Sequence, residues 1–92
     1  MLSLTTTKQY RKDRNCCKKR GYDMSLLDEV IEELLMQNPL AAKYRDHSLT
    51  GNFTGFRECH ILPDWLLIYK VDKGKLILTA SRTGTHSDLL EK

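Results

Sequence analysis

The 92-residue chain has no apolar run approaching the roughly 18 residues that cross a bilayer. Nor does it begin with the apolar stretch and small-residue cleavage site of a secretory signal. These absences lead us to expect a cytoplasmic protein with no membrane contact. Cysteine is scarce: of three, Cys16 and Cys17 are adjacent and Cys59 stands alone, which suits neither a paired disulfide framework nor a CxxC zinc knuckle. All three are expected to be reduced and structural. There is no GxSxG elbow for an activated serine and no HExxH pair for a catalytic zinc. Internal repeats and low-complexity segments are also missing. A hydrophobic fraction of 40% is enough for one modest core, so residues 1–92 are expected to form a single domain.

What is present is charge, strongly segregated. Lys8, Arg11, Lys12, Arg14, Lys18, Lys19 and Arg20 face only Asp13 in their stretch, whereas Asp23, Asp28, Glu29, Glu32 and Glu33 follow with no Lys or Arg before Lys43. The basic stretch has the density to attract a polyanion through counterion release; it also fits a solvated helix face beside an acidic neighbour.

The alternation in residues 2–6 predicts a short first strand, and the composition from Lys8 to Arg20 predicts a helix stopped by Gly21. A second helix follows from Leu26, Leu27, Val30, Ile31, Leu34 and Leu35, which fall on one face. Ser25 is its expected cap, with Asp28 three residues on. Pro39 is expected to end it near Asn38. Residues 40–55 read as loop. Strands are predicted over Phe56–Ile61, Trp65–Asp72 and Lys75–Ser81, with turns at Pro63 and at Lys73-Gly74. The fold class is therefore α+β: an N-terminal strand, two helices on one face, and a three-stranded antiparallel meander whose opposite face is left free as a working surface.

All three histidines lie in polar segments of the second half: Asp46-His47-Ser48-Leu49, Cys59-His60 through Pro63-Asp64-Trp65, and Arg82-Thr83-Gly84-Thr85-His86. The meander brings His60 and Asp64 to one turn, and Arg82 can reach the same end. Metal-free RNA cleavage needs a base for the 2′-hydroxyl proton, an acid for the leaving 5′-oxygen and cationic donors for the phosphorane-like transition state. His, Asp and Arg supply those roles. A zinc site from His47, His60, Asp64 and His86 is chemically possible, but its spacings match no standard ligand pattern. Trp65 reads either as a core aromatic or as an indole stacking on a base.

In this order and spacing, the Asp46-His47-Ser48-Leu49 element, the Cys59-His60 to Tyr69 element with its Pro63-Asp64-Trp65 centre, and Arg82-Thr83-Gly84-Thr85-His86 closely resemble the YafQ branch of the RelE/ParE toxin superfamily. The resemblance implies the toxin of a bacterial type II toxin–antitoxin pair, an mRNA interferase that cuts translated messages on the ribosome without metal or cofactor. It carries the catalytic set onto His47, His60, Asp64, Arg82 and His86. His86 is then the general acid, Asp64 the base with His60 as its substitute, and His47, His60 and Arg82 position the substrate and stabilise charge. Trp65 supports the site or contacts RNA, while Lys8, Arg11, Lys12, Lys18 and Lys19 dock against ribosomal RNA. The implied partner is a small, DNA-binding antitoxin of the DinJ/RelB kind, in a hetero-oligomer; the free toxin is expected to be a monomer. Members of the wider superfamily resembling ParE inhibit gyrase without cutting RNA, so a non-catalytic gyrase inhibitor or a small RNA-binding module is the alternative. Leu89 and Leu90 stand where family members commonly carry an aromatic residue.

Overall fold

A computed structural model describes residues 1–90 and, of Leu90, the backbone alone. The elements run β1 (Ser3–Thr6), α1 (Lys8–Lys19), α2 (Met24–Leu35), β2 (His47–Ser48), β3 (Arg57–Leu62), β4 (Trp65–Asp72), β5 (Ile77–Gly84) and α3 (His86–Leu90). Single tight helical turns occupy Ala42–Tyr44 and Gly51–Phe53. The five strands form one sheet in the order β1-β5-β4-β3-β2. It is α+β as expected, but mixed: β1 pairs parallel with β5, while the remaining pairs are antiparallel. No helix among the described residues is long and apolar enough to cross a membrane.

Helix α1 starts at Thr7, whose hydroxyl accepts from Tyr10 N at 2.9 Å and donates to Ser81 O at 2.8 Å, tying the cap to β5. It buries Tyr10 and Cys17, seven residues apart on one face, and leaves its lysines in solvent. In α2 the buried residues Leu27, Val30, Ile31 and Leu34 recur at i, i+3, i+4 and i+7, and each contributes about 1.5–3 kcal/mol by leaving water. Asp23, not Ser25, caps this helix: its carboxylate accepts from Ser25 N at 3.0 Å and from Ser25 Oγ at 2.6 Å. These bonds hold the Asp23 carboxyl below its ordinary range. The helix also ends earlier than Pro39 suggested. Gln37 adopts a left-handed φ of 60°, and the bonds Gln37 N to Leu34 O and Asn38 N to Glu33 O, both 3.0 Å, close a Schellman turn.

The main core lies between the helices and one sheet face, where Trp65, Leu67, Tyr69, Cys59, Leu78 and Ala80 meet α1 and α2. The opposite face is not free. Leu66 and Ile68 are covered there by Leu89 of α3 and by Leu49, Phe53 and Phe56. Cys17 and Cys59 are buried but Cys16 is exposed, and all three are free thiols; burial pushes the Cys59 thiol up to about 12.

A bulge in β5 decides which of its side chains face which layer. Ile68 pairs with Arg82 and Tyr69 with Ala80, so Ser81 is an extra residue in β5. Regular alternation from Leu78 and Ala80 would turn Arg82 toward the helices. The extra residue gives that position to Thr83 and turns Arg82 outward. Strand β5 runs from Ile77 to Gly84, ending later than expected; it also begins later, because Lys75 N bonds Asp72 Oδ1 at 3.1 Å and Leu76 takes a φ of 57°, which extends the turn.

Candidate active site

The register assembles the site as two neighbouring rows on the outer sheet face. His47 pairs with Glu58, Glu58 with Ile68, and Ile68 with Arg82; beside them His60 pairs with Leu66, and Leu66 with Gly84. His86 follows Gly84 at the start of α3. His47, which sequence left in a loop of unfixed position, is thus placed by a two-residue strand. The ring centroids are 6.3 Å apart for His47 and His60 and 5.6 Å for His60 and His86.

The three imidazoles share one orientation rule. His47 Nδ1 donates to Arg45 O at 2.7 Å and His60 Nδ1 to Pro63 O at 3.3 Å, since a carbonyl can only accept. His86 Nδ1 donates to Asp64 Oδ1 at 2.6 Å, and the His86 backbone N–H reaches the same oxygen at 3.0 Å. Each ring is therefore held through Nδ1 and presents Nε2. His86 is 48% exposed and His60 only 12%, so the first is open to a substrate and the second lies at the floor.

Glu58 is the functional candidate that sequence reasoning missed. It is buried, and Oε1 lies 3.3 Å from His47 Nε2 and 3.7 Å from His60 Nε2. Its Oε2 has no hydrogen-bond partner among the described residues. A signal was available: Glu58 and His60 are two apart on a strand and so share a face. Below this row, Asp46 accepts from Tyr69 Oη and from Arg57 Nε at 3.3 Å and Nη2 at 3.1 Å, while Arg57 Nη1 reaches Ser48 at 2.8 Å. This clamp fixes β2 and with it His47. Burial, followed by the Asp46 carboxylate, raises the Tyr69 phenol above its ordinary value.

Arg82 does join the outer face, but Asp13 of α1 engages it: Nε and Nη2 donate to that carboxylate at 2.7 Å and 3.2 Å. The pairing raises the guanidinium pKa further and leaves Nη1 outside the pair. Asp64 is committed to His86, and that bond holds its carboxyl below the usual range. Trp65 is 1% exposed, donates from Nε1 to Thr83 Oγ1 at 3.0 Å and packs edge-on to Tyr22. It therefore lies in the core and offers no exposed ring face on which an RNA base could stack. Leu89 is likewise buried in the outer core; the side chain of Leu90 lies outside the described residues. Lys8, Arg11, Lys12, Lys18 and Lys19 are all exposed along α1. Beside His60 a groove of about 340 Å³ runs between Tyr44, Arg45, Leu62 and Pro63. Among the described residues no three His, Cys, Asp or Glu side chains are arranged to hold a metal ion.

Known proteins are similar to this chain in sequence and in fold. The mRNA interferase toxin YafQ of Escherichia coli K12 is 46% identical over 84 residues, spanning 88% of this chain and 87% of its own. A toxin of Helicobacter pylori solved in a metal-bound form superposes with a TM-score of 0.91 at 44% identity, covering 97% of this chain and 99% of the other. A chain of the E. coli DinJ–YafQ complex gives 0.88 at 37% identity, covering 97% and 98%. Residues 2–91 match the family described as the bacterial toxin of a type II toxin–antitoxin system, YafQ. With the whole fold and nearly the whole sequence accounted for, the chain belongs to the YafQ family of type II toxins.

Proposed function

We propose that this toxin is a ribosome-dependent mRNA interferase of the cytoplasm, cleaving translated messages without metal or cofactor and restrained by a DinJ-like antitoxin. The observation that carries the reading is the set of three imidazoles, each anchored through Nδ1 and presenting Nε2 on one sheet face. The E. coli relative, named an mRNA interferase, supports the reaction class, and the DinJ–YafQ complex supports the partner.

In this reading His60 Nε2 takes the proton from a ribose 2′-hydroxyl, and the freed oxygen attacks the adjacent phosphorus. The bond to the 5′-oxygen breaks as His86 Nε2 delivers a proton to it, leaving a 2′,3′-cyclic phosphate and a 5′-hydroxyl. Asp64 passes from base to partner: a carboxylate with a lowered pKa and two bonds to His86 is a poor proton acceptor, and it serves by orienting the acid. His47 and the free end of Arg82 face the charge that develops on phosphorus. Chain continuing past His60 fits the groove beside Tyr44 and Arg45. The exposed lysines of α1 suit a ribosomal RNA surface. The antitoxin, dimeric and DNA-binding, covers these surfaces with a segment that orders on binding, giving a hetero-oligomer from a monomeric toxin.

The Helicobacter relative was solved with a metal. In this chain the His47 and His60 Nε2 atoms both face Glu58 Oε1, and among the described residues no three His, Cys, Asp or Glu side chains are arranged to hold a metal ion; the reading routes no step through a cation. The test is primer-extension mapping of messages on translating ribosomes with wild type and His86→Ala. Loss of cuts by about 10²- to 10⁴-fold is expected for removal of a general acid. Undiminished cutting would remove His86 from that role. Growth arrest with no cutting by the wild type would favour the gyrase inhibitor.

A further inference from the structure

The residue that caps the end of the basic first helix reaches the helix that carries His86. Arg20, the C-cap of α1, donates to Asp88 from Nη1 at 2.7 Å and from Nη2 at 3.2 Å. This is the two-pronged geometry that fixes a carboxylate in orientation as well as distance. Asp88 in turn closes a capping box: its Oδ2 accepts from Thr85 N at 3.0 Å, and Thr85 Oγ1 accepts from Asp88 N at 3.1 Å. Between these two residues stands His86, whose backbone N–H and ring both meet Asp64. A helix of five residues has little stability of its own. Leu89 holds it to the sheet by an apolar contact, which sets depth but not rotation. Gly84 shows how closely Asp88 is drawn in, since a Cβ there would lie 2.9 Å from its Oδ2.

We propose that Arg20 and Asp88 are positioning residues for His86: together they set the rotation of α3 and so deliver the His86 ring to Asp64 and its Nε2 to the scissile bond. The catalytic half of this statement rests on His86 acting as the general acid; the geometric half does not. The clasp also joins two regions that the sequence kept apart, because the helix proposed to dock on ribosomal RNA is the one that steadies the acid. Arg20 therefore has its charge spent inside the molecule, unlike the exposed lysines of α1, and it should not count among the RNA-binding cations.

The experiment compares wild type, Arg20→Gln, Asp88→Asn, Arg20→Lys and Asp88→Glu, with a melting curve for each to set aside any variant that fails to fold. The first readout is an NMR titration of the Asp64 side-chain carboxyl, which does not depend on cleavage. In the wild type it titrates below the ordinary range because His86 donates to it, while the negative charge of Asp88 opposes that shift. Through charge alone, Asp88→Asn would lower the Asp64 value further and Arg20→Gln would raise it. Through position, both substitutions raise it, since both let His86 move away. The second readout is the rate of message cleavage at saturating ribosome, expected to fall about tenfold to a hundredfold in both variants, as misplacement of a reacting group by about 1 Å does. Partial recovery is expected in Arg20→Lys and Asp88→Glu, with ribosome affinity unchanged throughout. Movement of Asp64 in opposite directions, or no movement in either variant, would overturn the positioning role. An Asp64 that moves upward in both variants while cleavage stays at the wild-type rate would leave the clasp standing and remove His86 as the acid.

Discussion

Glu58 separates stability from activity, and substitution by Gln tests that separation. The residue is 5% exposed and its Oε2 has no partner among the described residues. A buried polar atom left without a hydrogen bond costs about 1–3 kcal/mol, more when it is charged, and a neutral amide of the same shape removes the charged part of that. Against this stand the contacts of Oε1 to His47 at 3.3 Å and His60 at 3.7 Å. The pair with half-exposed His47 contributes about 0–1 kcal/mol, and the 3.7 Å approach to His60 is too long to be a hydrogen bond. The opposing terms nearly cancel, so Glu58→Gln is expected to change stability by no more than about 1 kcal/mol, or about 4–8 °C in Tm for a domain of this size. Activity has no such compensation: both Nε2 atoms lose the charge they face, and cleavage should fall by about tenfold to a hundredfold. Thermal melting by circular dichroism and ribosomal cleavage, measured on the same preparation, decide the matter. A Tm fall well beyond about 8 °C would show that Glu58 holds the sheet together, and full cleavage would show that it does not tune the imidazoles.

Trp65→Phe leaves Thr83 Oγ1 without the indole donor and a gap in the core, a loss of about 2–4 kcal/mol in urea denaturation; conversely, the emission of this single tryptophan should not be quenched by RNA. Tyr69→Phe removes one arm of the clamp on Asp46 at a cost of about 1 kcal/mol, and faster hydrogen exchange at residues 47–48 would register the loosened β2. The carboxyls of Asp23, Asp64 and Asp88 are all held low, the first by Ser25, the second by His86 and the third by Arg20. Their stabilisation is present at neutral pH and is lost only as pH falls below the unfolded value of about 3.9 and on through the folded ones. Stability measured by denaturant at each pH should show no contribution from these groups to any decline above about pH 5. Cleavage should persist in EDTA, and activity lost to the chelator and restored by Zn²⁺ would overturn the metal-free mechanism.

Periodicity and composition reached the elements whose stability is local. Strand Trp65–Asp72 is read to the residue, and the buried face of α2 is the one its apolar spacing describes. Motif order, through resemblance, brought His47, His60, Asp64, Arg82 and His86 to one place. What stayed hidden depends on partners far along the chain. Asp13 looked like a lone acid in a basic stretch, yet it grips Arg82, 69 residues away. The extra residue Ser81 leaves no mark in a run of small polar residues, yet it decides which way Arg82 points. Trp65 could be read as core or as RNA platform because an indole suits both, and only the position of Thr83 and Tyr22 resolves it.

The parallel pairing of β1 with β5 has a consequence for when the protein can become toxic. β5 lies between the first strand and β4, so during synthesis β1 waits with an unfilled edge until residues 77–84 have left the exit tunnel. Contacts of such long sequence separation form late and slowly. Helix α1, tied to β5 through Thr7 and Asp13, cannot take its final seat before then, and neither can the imidazole that follows Gly84. Until those residues are free to pair, the nascent chain carries the parts of the candidate site without their assembled arrangement.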